Sequence, residues 1–287
     1  MRKTLLIAAA VLLSSRAAFA ATLLAPEEVF QGSPVRVTTE GAAFLKDVMF
    51  DGARVPIFTY NGRTRAFIGI DLKKTPGKYT LTAKLTNGAT VSKTITVIAR
   101  GTPTVASVDI PEALGGNTTS SQNNLLASIS AADADIKKIK TGAAVTWTQK
   151  FIPPLAALAT TNPYGYSVST GAYTLPHKGV DLEAAVGTPV VAMNRGVVKI
   201  AREYRSYGKM VVLDHGLRVQ TLYLHLSKMN VKVGDTIARG KIIGLSGESG
   251  YVSGPHLHLS VRIGGTSIDP VPFLKLFTPS LSVKEIL

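Results

Sequence analysis

Short alternating or β-branched runs, separated by turn-forming residues, recur along most of the chain and predict a mainly β protein. In the first hundred residues the runs are Pro34-Val35-Arg36-Val37-Thr38-Thr39, Tyr79-Thr80-Leu81-Thr82-Ala83-Lys84-Leu85 and Thr90-Val91-Ser92-Lys93-Thr94-Ile95-Thr96-Val97. Gly32-Ser33, Asp51-Gly52, Asn61-Gly62, Pro76-Gly77 and Asn87-Gly88 punctuate them. Asn87-Gly88 lies between two alternating runs and predicts a hairpin, since both residues tolerate the positive φ of a tight turn. Short strands at regular turns predict a small sandwich of immunoglobulin type over residues 21–100. This part has no histidine and no carboxylate cluster, so it reads as an accessory domain.

The pattern then changes. Gly115-Gly116-Asn117-Thr118-Thr119-Ser120-Ser121 is a flexible break. After it, Leu125, Ile129, Ala132, Ile136 and Ile139 recur at spacings of four, three, four and three, the apolar stripe of one short amphipathic helix that packs on one of its neighbouring domains. Residues 101–150 are therefore a linker carrying a helix, and Phe151-Ile152-Pro153-Pro154 is an extended entry into the next domain. From 151 to 287 strand patterns return: 189–192, 196–200, 210–213, 219–224, 242–245 and 258–261. Many glycines and no long helical stripe predict a curved, antiparallel sheet with a groove.

Residues 1–20 belong to neither domain. Arg2 and Lys3, the apolar Thr4–Leu13 and Ala18-Phe19-Ala20 have the layout of a cleaved secretory signal. The apolar run is too short to span a bilayer, which leaves a membrane anchor at the N-terminus as the weaker reading. The expected location is periplasmic or secreted. The chain has no cysteine, so no disulfide staples it and any metal must be held by histidine and carboxylate. The net charge is +14, and taking Arg2, Lys3 and Arg16 away with the leader still leaves +11. Export and the lack of a basic helix or aromatic platform argue against nucleic acid. An anionic cell-wall polymer suits the charge, as does simple solubility.

The chemistry gathers in the last domain, which holds all five histidines. In Gly254-Pro255-His256-Leu257-His258-Leu259 both imidazoles fall on one strand face, because side chains alternate with period 2. His177 and Asp181 also fall on one side, at even spacing on a loop entering a strand. With one histidine of the pair they make a His-Asp-His set, the ligand count of a catalytic zinc site that keeps its fourth position for water. There is no His-Glu-x-x-His helix to supply a glutamate base, so His225 and His256 are the candidates for moving protons. No cysteine and no Gly-x-Ser-x-Gly elbow exist for nucleophilic catalysis. His215, at a turn before Gly216, reads as structural, and packing accounts for Tyr173, Tyr223 and Tyr251.

His177-Lys178-Gly179-Val180-Asp181, Tyr223-Leu224-His225-Leu226 and Gly254-Pro255-His256-Leu257-His258 resemble, in order and content, the lysostaphin/LytM-type zinc metallopeptidases. Gly187-Thr188-Pro189-Val190, Asp214-His215-Gly216, Val233-Gly234-Asp235 and Gly244-Leu245-Ser246-Gly247 fit the same pattern, over roughly residues 150–275. The resemblance implies an exported zinc endopeptidase that hydrolyses peptide cross-links of bacterial peptidoglycan with a zinc-activated water. It implies one Zn²⁺ on His177, Asp181 and His258, with His225 and His256 as partners of the water and of the developing oxyanion. Upstream, where the family pattern has Ser-x-Phe-Gly-x-Arg, this chain has Asn162-Pro163-Tyr164-Gly165-Tyr166-Ser167, which bears on one groove wall and on substrate preference. Two other readings are weaker. A non-enzymatic activator of other wall hydrolases would lack ligands, and here all five positions are filled. A phosphotransferase carrier, suggested by the lipoyl-like Val231–Ile237, would leave His177 and Asp181 unexplained.

Overall fold

A computed structural model describes residues 21–101, 106–107, 109–170 and 173–277; the leader pattern of residues 1–20 lies outside the described residues. No helix among them is long and apolar enough to cross a membrane. The fold is mainly β, and nearly all strand pairs are antiparallel.

Residues 21–98 form two facing sheets. One orders Thr22–Leu24, Pro34–Glu40, Arg63–Gly69 and Ile57–Tyr60; the other orders Glu28–Phe30, Thr90–Ile98, Gly77–Leu85, Leu45–Phe50 and Ala53–Arg54. Alternation decides which side chains meet. Leu81, Ala83 and Leu85 of one strand bury against Val35, Val37, Val48 and Ile95, while Lys84 between them is exposed. Gly77–Leu85 and Thr90–Ile98 pair across Asn87-Gly88, with Gly88 at φ +87°.

The second half is built on one large antiparallel sheet ordered Thr160–Asn162, Val180–Glu183, His256–Ile263, Val219–Leu226, Gly208–Asp214, Gly196–Tyr204 and Thr236–Ile237, with Thr266–Ile268 beside His256–Ile263. Its two faces have different chemistry. On His256–Ile263, Leu257, Leu259, Val261 and Ile263 enter the apolar core, while the alternate positions His256, His258, Ser260 and Arg262 look out on the opposite face.

Aromatic side chains from both halves join the core on the apolar side. Phe58 packs edge-on against Phe67 and Trp147, and Phe67 against Phe273 and Phe277. Arg100 pairs with Asp269 at 3.0 Å across the same seam. The sandwich thus sits behind the sheet and leaves the histidine face uncovered. On that face lies the helix Thr119–Lys137, capped by the Thr118 hydroxyl accepting from the Ser121 N–H. Its Ala132 and Ile136 pack on Ile200, Tyr204, Met210, Val212, Leu222 and Leu224 of the sheet.

His215 belongs to this framework. It is fully buried, its Nδ1 donates to the Arg195 carbonyl at 2.8 Å, and its Nε2 lies 2.9 Å from the Thr221 hydroxyl. Phe151 and Trp147 contact its ring. Burial pushes its pKa down to about 4, so between there and an ordinary value near 6.5 the unfolded chain binds a proton that the folded one does not. The stability contribution is complete above pH 6.5 and is lost as pH falls toward 4, about 3 kcal/mol in all. Urea unfolding is expected to weaken over this window, with a shallower pH slope for His215→Gln. Equal slopes would contradict this account.

Candidate metal centre

Three separated stretches of sequence meet at one end of the histidine face. Val180–Glu183 pairs with His256–Ile263 in a register that sets Asp181 opposite His258 and Glu183 opposite His256. Leu224 lies opposite His258 on its other side, which brings the end of Val219–Leu226, and so His225, to the same place. His177 approaches from the loop before Val180, held by backbone bonds from His177 N to the Tyr166 carbonyl and from Gly165 N to the His177 carbonyl. Gly179 makes this approach possible, because a Cβ there would collide with His258 Nε2, the Leu259 carbonyl and Ser260 Oγ.

His177 Nε2, Asp181 Oδ1 and His258 Nδ1 converge, at 3.0 Å from His177 to Asp181, 2.9 Å from His258 to Asp181 and 2.9 Å between the imidazoles. Their side chains are 9 to 12% exposed. The outer atom of each group is already committed. His177 Nδ1 donates to the Pro163 carbonyl at 3.0 Å. Ser260 Oγ donates to the Lys178 carbonyl at 2.8 Å, so it receives the proton of His258 Nε2 at 3.0 Å. Asp181 Oδ2 accepts from Asn162 Nδ2 at 3.0 Å.

These outer bonds fix the tautomers. With His177 protonated on Nδ1 and His258 on Nε2, two imidazole lone pairs and a carboxylate oxygen point at one another. That arrangement is repulsive unless a cation sits among them, a proton or a metal ion. The group is the one set of three histidine, aspartate or glutamate side chains among the described residues with the spacing to hold a metal, and two nitrogens with one oxygen suit zinc. Burial favours the neutral forms, but the converging groups pull one another toward the charged ones. Burial alone would raise the pKa of Asp181, yet hydrogen bonds from His177 and His258 outweigh it and carry the carboxyl far below the ordinary range. Burial opposes charge on His177, yet the bond to Asp181 leaves its pKa above the ordinary value. For His258 burial prevails over the same carboxylate, and its pKa falls.

The other two histidines stand beside the trio in the tautomer of His177. His256 Nδ1 donates to the Gly254 carbonyl at 2.8 Å and His225 Nδ1 to the Ser249 carbonyl at 2.8 Å. Each therefore keeps a bare Nε2. That of His256 is 3.5 Å from Asp181 Oδ1, and the His225 ring lies 5.0 Å from His256 and 5.9 Å from His258. His225 has φ +61°, a conformation that is costly for a residue with a Cβ. Burial, with the nearby charges of His256 and His258, pushes its pKa down to about 3. All five predicted positions are thus brought to one place. Asn162 and Pro163, which the sequence placed in a groove wall, and Ser260, which no motif singled out, support the metal centre from outside. Ser260 could have been found by parity, two residues beyond His258 on the same face. Asn162 carried no such signal, because a bulged, non-local strand pair brings it to Asp181.

Residues 175–270 match the model of peptidase family M23. The solved catalytic domain of lysostaphin from Staphylococcus simulans is 38% identical, over 40% of this chain and 89% of that one, with a TM-score of 0.35. The chain belongs to peptidase family M23.

Among curated M23 relatives, the peptidoglycan DD-endopeptidase ShyA of Vibrio cholerae is 44% identical over 111 residues, 39% of this chain. The match spans about a quarter of that protein, 26% of its length. A crystal structure described as a putative M23 peptidase from Pseudomonas aeruginosa aligns over 85% of this chain and 94% of its own, with a TM-score of 0.60 and 22% identity, a likeness of fold.

Proposed function

We propose that the chain is an exported zinc endopeptidase that hydrolyses peptide cross-links of bacterial peptidoglycan. The observation that carries this reading is the convergence of three lone pairs from His177, Asp181 and His258, beside two histidines with bare Nε2 atoms. His177 Nε2, Asp181 Oδ1 and His258 Nδ1 would hold one Zn²⁺, which when bound polarises a scissile carbonyl and acidifies a water. The name of the peptidoglycan DD-endopeptidase ShyA supports the substrate class, and the leader pattern and basic charge suit action on an anionic wall outside the cytoplasm. In this reading residues 1–20 are the leader, 21–100 the accessory sandwich, 101–150 the connector and 151–287 the peptidase domain.

The chain's own residues divide the proton work. A water attacking an amide must lose a proton, and the bare Nε2 of His256 or His225 is positioned to take it. Once protonated, the same nitrogen becomes a donor, able to bond the developing oxyanion or pass the proton to the leaving amine. The Gly254 and Ser249 carbonyls hold the Nδ1 protons throughout, so neither ring flips to the wrong tautomer. Burial of His225 keeps that ring neutral and available as an acceptor.

Asn162 orients Asp181 from outside. Asn162→Ala is expected to weaken zinc binding by roughly 10- to 100-fold, read by competition with a fluorescent chelator, while activity at saturating zinc recovers. Unchanged affinity would remove Asn162 from the site. The function as a whole is tested by digesting isolated wall with the zinc-loaded and chelator-stripped protein; cleavage by the stripped protein would contradict it.

A further inference from the structure

The helix Thr119–Lys137 does more than cover the sheet. Leu222 and Leu224 lie opposite Ser260 and His258 in the strand register, so the helix that packs on them shares the histidine face. Beyond that contact, its Leu125 and Ile129 line the same cleft of about 390 Å³ as His225, His256 and His258. Val168 and Leu175 line it from the hairpin Ser167–Thr170 and Tyr173–Pro176. With Leu222 and Leu224 of Val219–Leu226, three elements remote in sequence (helix, hairpin and central strand) therefore supply aliphatic walls to one recess, continuous with the metal centre.

Two of the charged groups lining the recess are paired, since Arg262 donates to Asp133 of the helix at 2.5 Å, and a third, Lys178, is exposed. The helix is also fixed in place. Ser128 and Ser206 hydroxyls are 3.0 Å apart, Ser206 N donates to Ser128 Oγ at 2.9 Å, and the Tyr204 hydroxyl donates to Asp135 at 3.0 Å. The helix lies outside the segment 175–270 that matches the family, so the wall it makes is a feature of this chain's own connector.

We infer that this recess is a subsite for an uncharged aliphatic side chain next to the scissile amide, with Leu125 and Ile129 setting its size. The inference rests on the peptidase reading, and adds that the helix is a permanent wall of the substrate groove. A glycine would leave the recess unfilled and a lysine would bury an unpaired charge there, so both are discriminated against.

The test is a peptide series that differs only in the residue flanking the scissile bond, varied on each side in turn through glycine, alanine, norvaline, leucine and lysine. On one side, kcat/KM of the zinc-loaded wild type is expected to be at least about tenfold higher for the best aliphatic residue than for glycine or lysine. Ile129 is half-buried, so its variants should fold. Ile129→Ala moves the optimum to a larger side chain and Ile129→Phe moves it toward glycine. The same order of preference in all three proteins would overturn the inference. Because the chain has no cysteine, Ser128→Cys with Ser206→Cys forms a single disulfide that locks the helix. Activity kept on oxidation supports a fixed wall; activity lost on oxidation and restored by reduction would overturn it and show a lid. Should no peptide be cleaved, the peptidase reading fails by itself. The subsite is then read from the methyl NMR signals of Ile129 and Leu125 on titration with the norvaline peptide: shifts there sustain it, and none would sink it.

Discussion

Replacing His225 by asparagine is expected to abolish most peptide hydrolysis while leaving the metal in place. Asparagine is the informative choice because it tolerates the φ of +61° at this position, so loss of activity is not confounded with backbone strain. The His225 side chain contributes none of the three converging donor atoms, and its Nδ1 proton is held by the Ser249 carbonyl. The substitution removes a bare Nε2 beside the cluster. Loss of a positioned proton-transfer group costs about 10²- to 10⁴-fold, and that range is expected in kcat, with one zinc per chain retained in elemental analysis. A variant that loses its zinc together with its activity would move His225 from proton transfer to metal retention.

His177→Ala is expected to have the larger effect on the metal. It removes one of the three lone pairs and leaves Asp181 and His258 to face each other with the Asn162 and Ser260 bonds intact. Two ligands do not make a closed site, so zinc affinity should fall by more than the roughly 10- to 100-fold attributed to a supporting hydrogen bond. Activity should fall to background at physiological zinc. The fold should persist, since His177 lies on a loop and belongs to no apolar cluster among the described residues. Circular dichroism and the urea midpoint check that point. Wild-type zinc content in this variant would contradict the ligand set.

Much of this arrangement was legible in the sequence because it depends on local parity. Alternation placed the strands of the large sheet, and an even spacing put His256 and His258 on one face before any fold was known. Parity could not divide their work. The division comes from register, because Asp181 lies opposite His258 whereas Glu183 lies opposite His256. Register between strands about 75 residues apart leaves no mark in either segment. The helix shows the same boundary between legible and hidden: Leu125, Ile129, Ala132 and Ile136 announced an apolar stripe, but not that Ala132 and Ile136 would pack on the sheet while Leu125 and Ile129 reached the cleft. The aromatic seam was also out of reach. Phe58, Phe67, Trp147, Phe273 and Phe277 have no common period, and they meet only once both halves have folded.

Whether the His177, Asp181 and His258 centre hydrolyses amides of the bacterial wall is decided by mass spectrometry of the products from purified sacculi, with the zinc-loaded chain compared with the same preparation after chelation. New amine and carboxylate ends at peptide cross-links, intact glycan strands, and no cleavage after chelation until zinc is restored are the expected results. Cleavage of the glycan, or peptide cleavage that continues without metal, would contradict hydrolysis at this centre.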